Sequence, residues 1–248
     1  SNDKKNLSAI FLSLTNSVIE KKPLKNYLKE SHSQYLDINF LKAIFLWTEI
    51  EESNVDQLNI ENCVPLLCLH KGMRLLVEGR KKEAEIFLTK VDKQNFSSTR
   101  IKELLFYSFL KLNQKSKAGN VFDNMHLKDL NLRPYRINYF LNNDYLLDPV
   151  KTHKDGLAET LYNISSWYYQ KNLFKYSIFF GKLSLRLRPN FNAMKLLVVN
   201  ALEEIGYKQL AVNLISNISK RNLYYMKFIK LKNSLQENSF DEKRLLDD

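Results

Sequence analysis

The residues able to do chemistry are few and scattered. Histidines stand at His32, His70, His126 and His153, each in a separate segment, so no two share a helix face at the i, i+4 spacing by which an HExxH helix grips zinc. No GxSxG elbow, P-loop or GxGxxG run supplies a nucleophile or a phosphate cradle. The adjacent acids Glu51-Glu52 and Glu203-Glu204 point different ways on a helix and do not form an acid/base pair. Cys63 and Cys68 are five apart, which is neither a CxxC redox pair nor half of a zinc site. They read as two separate buried thiols, the usual state of free cysteine, and two cysteines are too few for a disulfide scaffold. His70 reads as a surface or satisfied core histidine. Without convergent groups, catalysis, a resident metal and a cofactor are not expected.

The elements that would position such residues are helical. With 44% apolar residues in 248, the chain can bury a sizeable core, and six Gly and five Pro are too few for a turn-rich β-sandwich. No run approaches the ~18 apolar residues that cross a bilayer, and the N-terminus lacks an uninterrupted signal core. The expectation is a soluble protein without a membrane span; the sequence does not choose its compartment, bacterial cytoplasm and, if a leader has been removed, periplasm both being compatible. The net charge of +11 invites a polyanion reading. Its carriers are 29 Lys against 9 Arg, spread along the chain, and Lys is the less discriminating partner for phosphate. RNA or another polyanion is therefore the alternative partner, behind protein.

Periodicity organises the rest. Ala84, Phe87, Leu88 and Val91 form one apolar helix stripe, and a step of 34 lands on Ala118, Val121, Phe122 and Met125. The same step carries Ser177, Phe180, Gly181 and Ser184 onto Ala211, Leu214, Ile215 and Ile218. Each stripe has a helical run just upstream, "PLLCLHKGMRLLVEG" and "NAMKLLVVNALEEIG" among them, with Pro65 suited to a first turn and Gly79 and Gly206 to exits. Pro189 bars Arg188 from helical geometry and separates one unit from the next.

This layout resembles the tetratricopeptide repeat, with Gly72, Ala84, Ser165, Ser177 and Ala211 at its small places and Pro189 near its end. Lys102 and Lys195, Phe106 and Val199, and Gly181 depart from the pattern, so the repeats are degenerate. The segment from Asp155 to Leu197 is similar to the C-terminal repeats of long alphaproteobacterial tetratricopeptide proteins. The resemblance implies an all-α, right-handed superhelical solenoid of antiparallel helix pairs, bent in the middle. Its parts are N-terminal degenerate helical repeats over 1–61, helix pairs over 62–130, an irregular helix and linker over 131–157, and helix pairs with a C-terminal helix over 158–248.

By the same resemblance the first helices line a concave groove. The residues expected there are Met73, Arg100, Tyr107, Lys111, Tyr162, Ser166, Tyr169 and Asn200, with Leu66 and Leu69 in matching places. Tyr, Met and Arg bring large contact area with a polar handle. The expected function is a non-enzymatic interaction module or scaffold that binds a peptide or protein segment there. A fragment of a longer array would also self-associate through its exposed ends.

Overall fold

A computed structural model describes residues 2–20, 36–48, 58–94, 98–126, 137–143, 147–216, 218 and 223–235. Parts of the expected N-terminal repeats over 1–61 (21–35 and 49–57, with His32 and the acidic pair at 51–52) and the tail after 235 lie outside these. Among the described residues the regular structure is all helical. The elements are α1 (Asn2–Ile19), α2 (Ile38–Thr48), α3 (Pro65–Val77), α4 (Lys81–Asp92), α5 (Thr99–Lys111), α6 (Lys115–His126), α7 (Ile137–Asn142), α8 (His153–Gln170), α9 (Phe174–Leu187), α10 (Asn192–Glu204) and α11 (Lys208–Leu214). A further helical stretch covers 225–235.

Local chemistry sets these bounds. Pro65 opens α3 where its missing N–H costs nothing. Ser98 caps α5 by accepting from the Ile101 N–H, and Thr152 and Asp155 form a reciprocal capping box on α8. Arg188, held extended before Pro189, ends α9.

Five described residues have left-handed backbone: Gly79, Asn113, Asp148, Asn172 and Gly206. Four of them form one turn used four times. In each, the next residue's N–H reaches back five residues: Arg80 to the Leu75 carbonyl, Gln114 to Phe109, Leu173 to Tyr168 and Tyr207 to Leu202, at 2.8–2.9 Å. This is the Schellman closure. The turn residues are 34 apart within each pair, 79 to 113 and 172 to 206. Glycine serves twice; asparagine, the side chain most tolerant of this region, serves in the other two. Asn172→Ala is accordingly expected to cost about 1 kcal/mol, a fall in Tm of about 2–4 °C, while Asn172→Gly stays within about half that; thermal unfolding of the two variants checks it.

Packing follows the pairs. α3 packs on α4, α5 on α6, α8 on α9, and α10 on both α9 and α11. At each pair interface the small residue is fully buried, Ala84, Ala118, Ser177 and Ala211 alike, so neighbouring helices approach closely. Gly181, which replaces an expected aromatic, is filled over by Val198 and Met194 of α10.

The N-terminal segment is more than an extra repeat. α2 packs on α3 and on α8, and α1 packs on α9, so α2 joins the two sets of pairs. Its Trp47 ring lies where a Cβ on Gly156 would stand, about 2.2 Å from that position, so α8 needs glycine there. Trp47 Nε1–H donates to His70 Nδ1 at 2.9 Å, and the other His70 nitrogen is 3.0 Å from the Asn163 side chain on α8. Burial lowers the His70 pKa to about 3. His70 is therefore the satisfied core histidine of the two readings. The cysteines correct expectation: Cys63 and Cys68, both buried, are joined as a disulfide across the start of α3. Their Cα atoms are 5.5 Å apart, well inside disulfide reach, a proximity that the five-residue spacing alone did not reveal.

Candidate functional site

The groove positions divide sharply. Met73, Arg100 and Tyr107 are buried, Lys111 is exposed, and Tyr162, Ser166, Tyr169 and Asn200 are partly buried. Arg100 is the clearest correction. Its guanidinium forks onto Glu159 of α8 (Nε to Oε1 3.0 Å, Nη2 to Oε2 2.7 Å), reaches Glu103 at 3.1 Å and donates to the Leu147 and Asp148 carbonyls at 2.9 and 2.7 Å. The Phe191 ring lies 5.0 Å beneath it. Glu159 is 0% exposed. Arg100 thus ties α5 to α8 and to the linker, and has no face left for a partner.

A second return closes the same region. The Tyr224 hydroxyl, from the C-terminal segment, donates to both Glu103 oxygens at 2.6 Å. Asp148, itself buried with left-handed backbone, accepts from the Asn192 backbone N–H at 2.9 Å and so caps α10. Burial raises the pKa values of Glu103 and Asp148, with Arg100 opposing both. Burial alone would lower that of Arg100, yet Glu159 and Glu103 carry it well above its ordinary value. Burial also raises Tyr162, which packs its ring 5.6 Å from Phe191. The middle of the predicted groove is filled by the chain's own linker and C-terminal segment.

An open cleft remains beside the start of α3. A cleft of about 360 Å³ is lined by Asp37, Asn39, Phe40, Val64, Pro65, Leu66, Leu69, Val91, Ile101 and Trp167. Leu66 and Leu69 are the first two of the expected groove places on α3. Phe40 meets Trp167 edge-on at 6.2 Å, and Val64 and Trp167 are among the exposed large apolar side chains. The wall is almost wholly apolar, and Asp37, exposed, is its one carboxylate. Phe40 and Trp167 escaped sequence reasoning. The available signal was Trp167 itself, an aromatic at a repeat place that serves neither packing nor groove.

A second cleft, about 550 Å³, lies along α4 and is lined by Ile60, Lys82, Glu85, Ile86, Thr89, Lys90, Lys93 and Lys117. Lys117 bonds Glu85 and Thr89 at 2.9 and 3.0 Å, and Lys90 donates to the Ile60 and Glu61 carbonyls. Among the described residues no cluster of three His, Cys, Asp or Glu is placed to hold a metal ion, and no helix is long and apolar enough to cross a membrane. No family model matches the chain, and neither a curated protein nor a solved structure matches it.

Proposed function

We propose that this chain is a non-enzymatic interaction module, a solenoid of tetratricopeptide-like helix pairs that holds a segment of another protein. Support for the architecture comes from the one turn repeated at 34-residue spacing. The observation that carries the function is the apolar cleft between α2, α3, α5 and Trp167. A cleft of that size takes one or two aliphatic or aromatic side chains, and Asp37 at its edge suits a lysine or arginine beside that anchor.

Val64→Glu with Leu66→Glu places two carboxylates on the apolar wall. The double variant is expected to retain its Tm while losing at least about tenfold in partner affinity, since a buried unpaired charge costs several kcal/mol. The check is affinity capture from the source lysate through a high-salt wash, wild type beside variant. A protein retained equally by both would remove the cleft from the function.

The lysine-lined cleft along α4 favours a second reading, binding of RNA or another polyanion. That reading predicts that the captured species is nucleic acid, leaves steeply as salt rises, and is lost on Lys82→Ala with Lys93→Ala.

A further inference from the structure

The four equivalent turns are alike in backbone and opposite in side chains. Counting from the left-handed residue, the first and fourth residues after it are Arg80 and Glu83 in the α3–α4 turn and Gln114 and Lys117 in the α5–α6 turn. Both of those turns are polar and their charges are paired: Arg80 pairs with Glu83 at 2.6 Å within its own turn, and Lys117 reaches across to Glu85 of α4 at 2.9 Å. In the α8–α9 and α10–α11 turns the same places hold Leu173 and Tyr176, and Tyr207 and Leu210. These four are exposed by 44%, 42%, 54% and 52%. An exposed turn normally carries polar residues, and the same fold achieves that twice in the other half of the chain.

The two apolar turns lie side by side. Tyr169, at the end of α8, packs its ring 5.4 Å from Phe174 of α9 and places its hydroxyl 3.4 Å from Glu204 at the end of α10. Tyr169 thus brings the ends of α8 and α10 together, which sets both apolar turns on one rim of the fold. Lysines are threaded through it: Lys171 and Lys175 are exposed, and Lys208 is partly so. The nearby acids are Glu203 and Glu204, the latter engaged by Tyr169.

We infer that this rim docks peripherally on an anionic lipid surface. The apolar area it offers is on the order of 400 Å², about half of the ~800 Å² per partner that a stable dimer buries, which argues against a second copy as occupant. Leucine and tyrosine at turn tips reach the depth where amphipathic aromatic rings sit in a bilayer, and interleaved lysines meet anionic headgroups at that level. The insertion is a surface contact by turns, with no helix crossing the membrane.

Co-sedimentation of the full chain with vesicles of phosphatidylcholine, alone or with about one-third phosphatidylglycerol, tests this. Wild type is expected to partition at least about tenfold more strongly onto the anionic vesicles. Replacing Leu173, Tyr176, Tyr207 and Leu210 by serine abolishes that preference at unchanged Tm, whereas Arg80→Ser with Gln114→Ser leaves it intact. Tyr207→Trp supplies a reporter that keeps the rim apolar, with emission that shifts to the blue on anionic vesicles. Wild type that stays in the supernatant, a quadruple serine variant that sediments like wild type, a Tyr207→Trp emission that does not move, or a dimer that the serine variant breaks each overturns the inference.

Discussion

Arg100→Ala is expected to destabilise the protein by about 3–5 kcal/mol, the loss typical of a buried ion pair deprived of one partner. It strands the Glu159 carboxylate at 0% exposure and leaves the Leu147 and Asp148 carbonyls without their donor. At about 2–4 °C per kcal/mol for a chain of this size, Tm falls by roughly 6–20 °C. Arg100→Met combined with Glu159→Leu recovers only part of the loss: it removes the stranded Glu159 charge but still leaves buried Glu103 and the two carbonyls without the arginine. Chemical denaturation of wild type, the single and the double variant decides it. A single variant as stable as wild type would return Arg100 to the groove.

The second large effect is a pH dependence centred on His70. Its pKa is lowered to about 3 in the folded protein by burial, against an ordinary value near 6.5. Between those values the unfolded chain binds a proton that the native state refuses, so the stability present above pH 6.5 is lost as pH falls toward 3. The contribution between pH 7 and pH 5 is about 2 kcal/mol. His70→Gln keeps an acceptor for Trp47 but does not titrate. The difference in unfolding free energy between wild type and variant is expected to shrink by that amount from pH 7 to pH 5. Glu103 and Asp148, raised by burial, contribute with the opposite sign in both proteins and cancel in the difference. A pH-independent difference would mean that His70 is hydrated in the native state.

How legible all this was depends on the range of the interaction. The helix pairs, the role of Pro189 and the buried small residues could be read because each is settled within one 34-residue unit. Asn113 and Asn172 could have been recognised as turn residues from their step of 34 to or from another turn, but asparagine marks a left-handed turn less plainly than glycine. The open groove failed at Arg100 for a different reason. Repeat places report the geometry of neighbouring units and are silent on what returns from elsewhere. Leu147, Asp148 and Tyr224 cover that face from 47 to 121 residues away. The cleft at Leu66 and Leu69 needed Phe40 of α2, whose docking between α3 and α8 has no counterpart in the repeat pattern.

That docking changes how the molecule assembles. A linear array gains stability unit by unit and melts piecemeal from its ends, because each unit meets only its neighbours. Here α1 and α2 wait for α8 and α9, and Glu103 waits for Tyr224. Contacts between such distant segments couple the units to one another and are expected to slow their closure. During synthesis the N-terminal helices leave the ribosome more than a hundred residues ahead of their partners. Until α8 arrives, the sides of Phe40 and Trp47 that face it stand uncovered, and that interval is when the nascent chain is most exposed to aggregation.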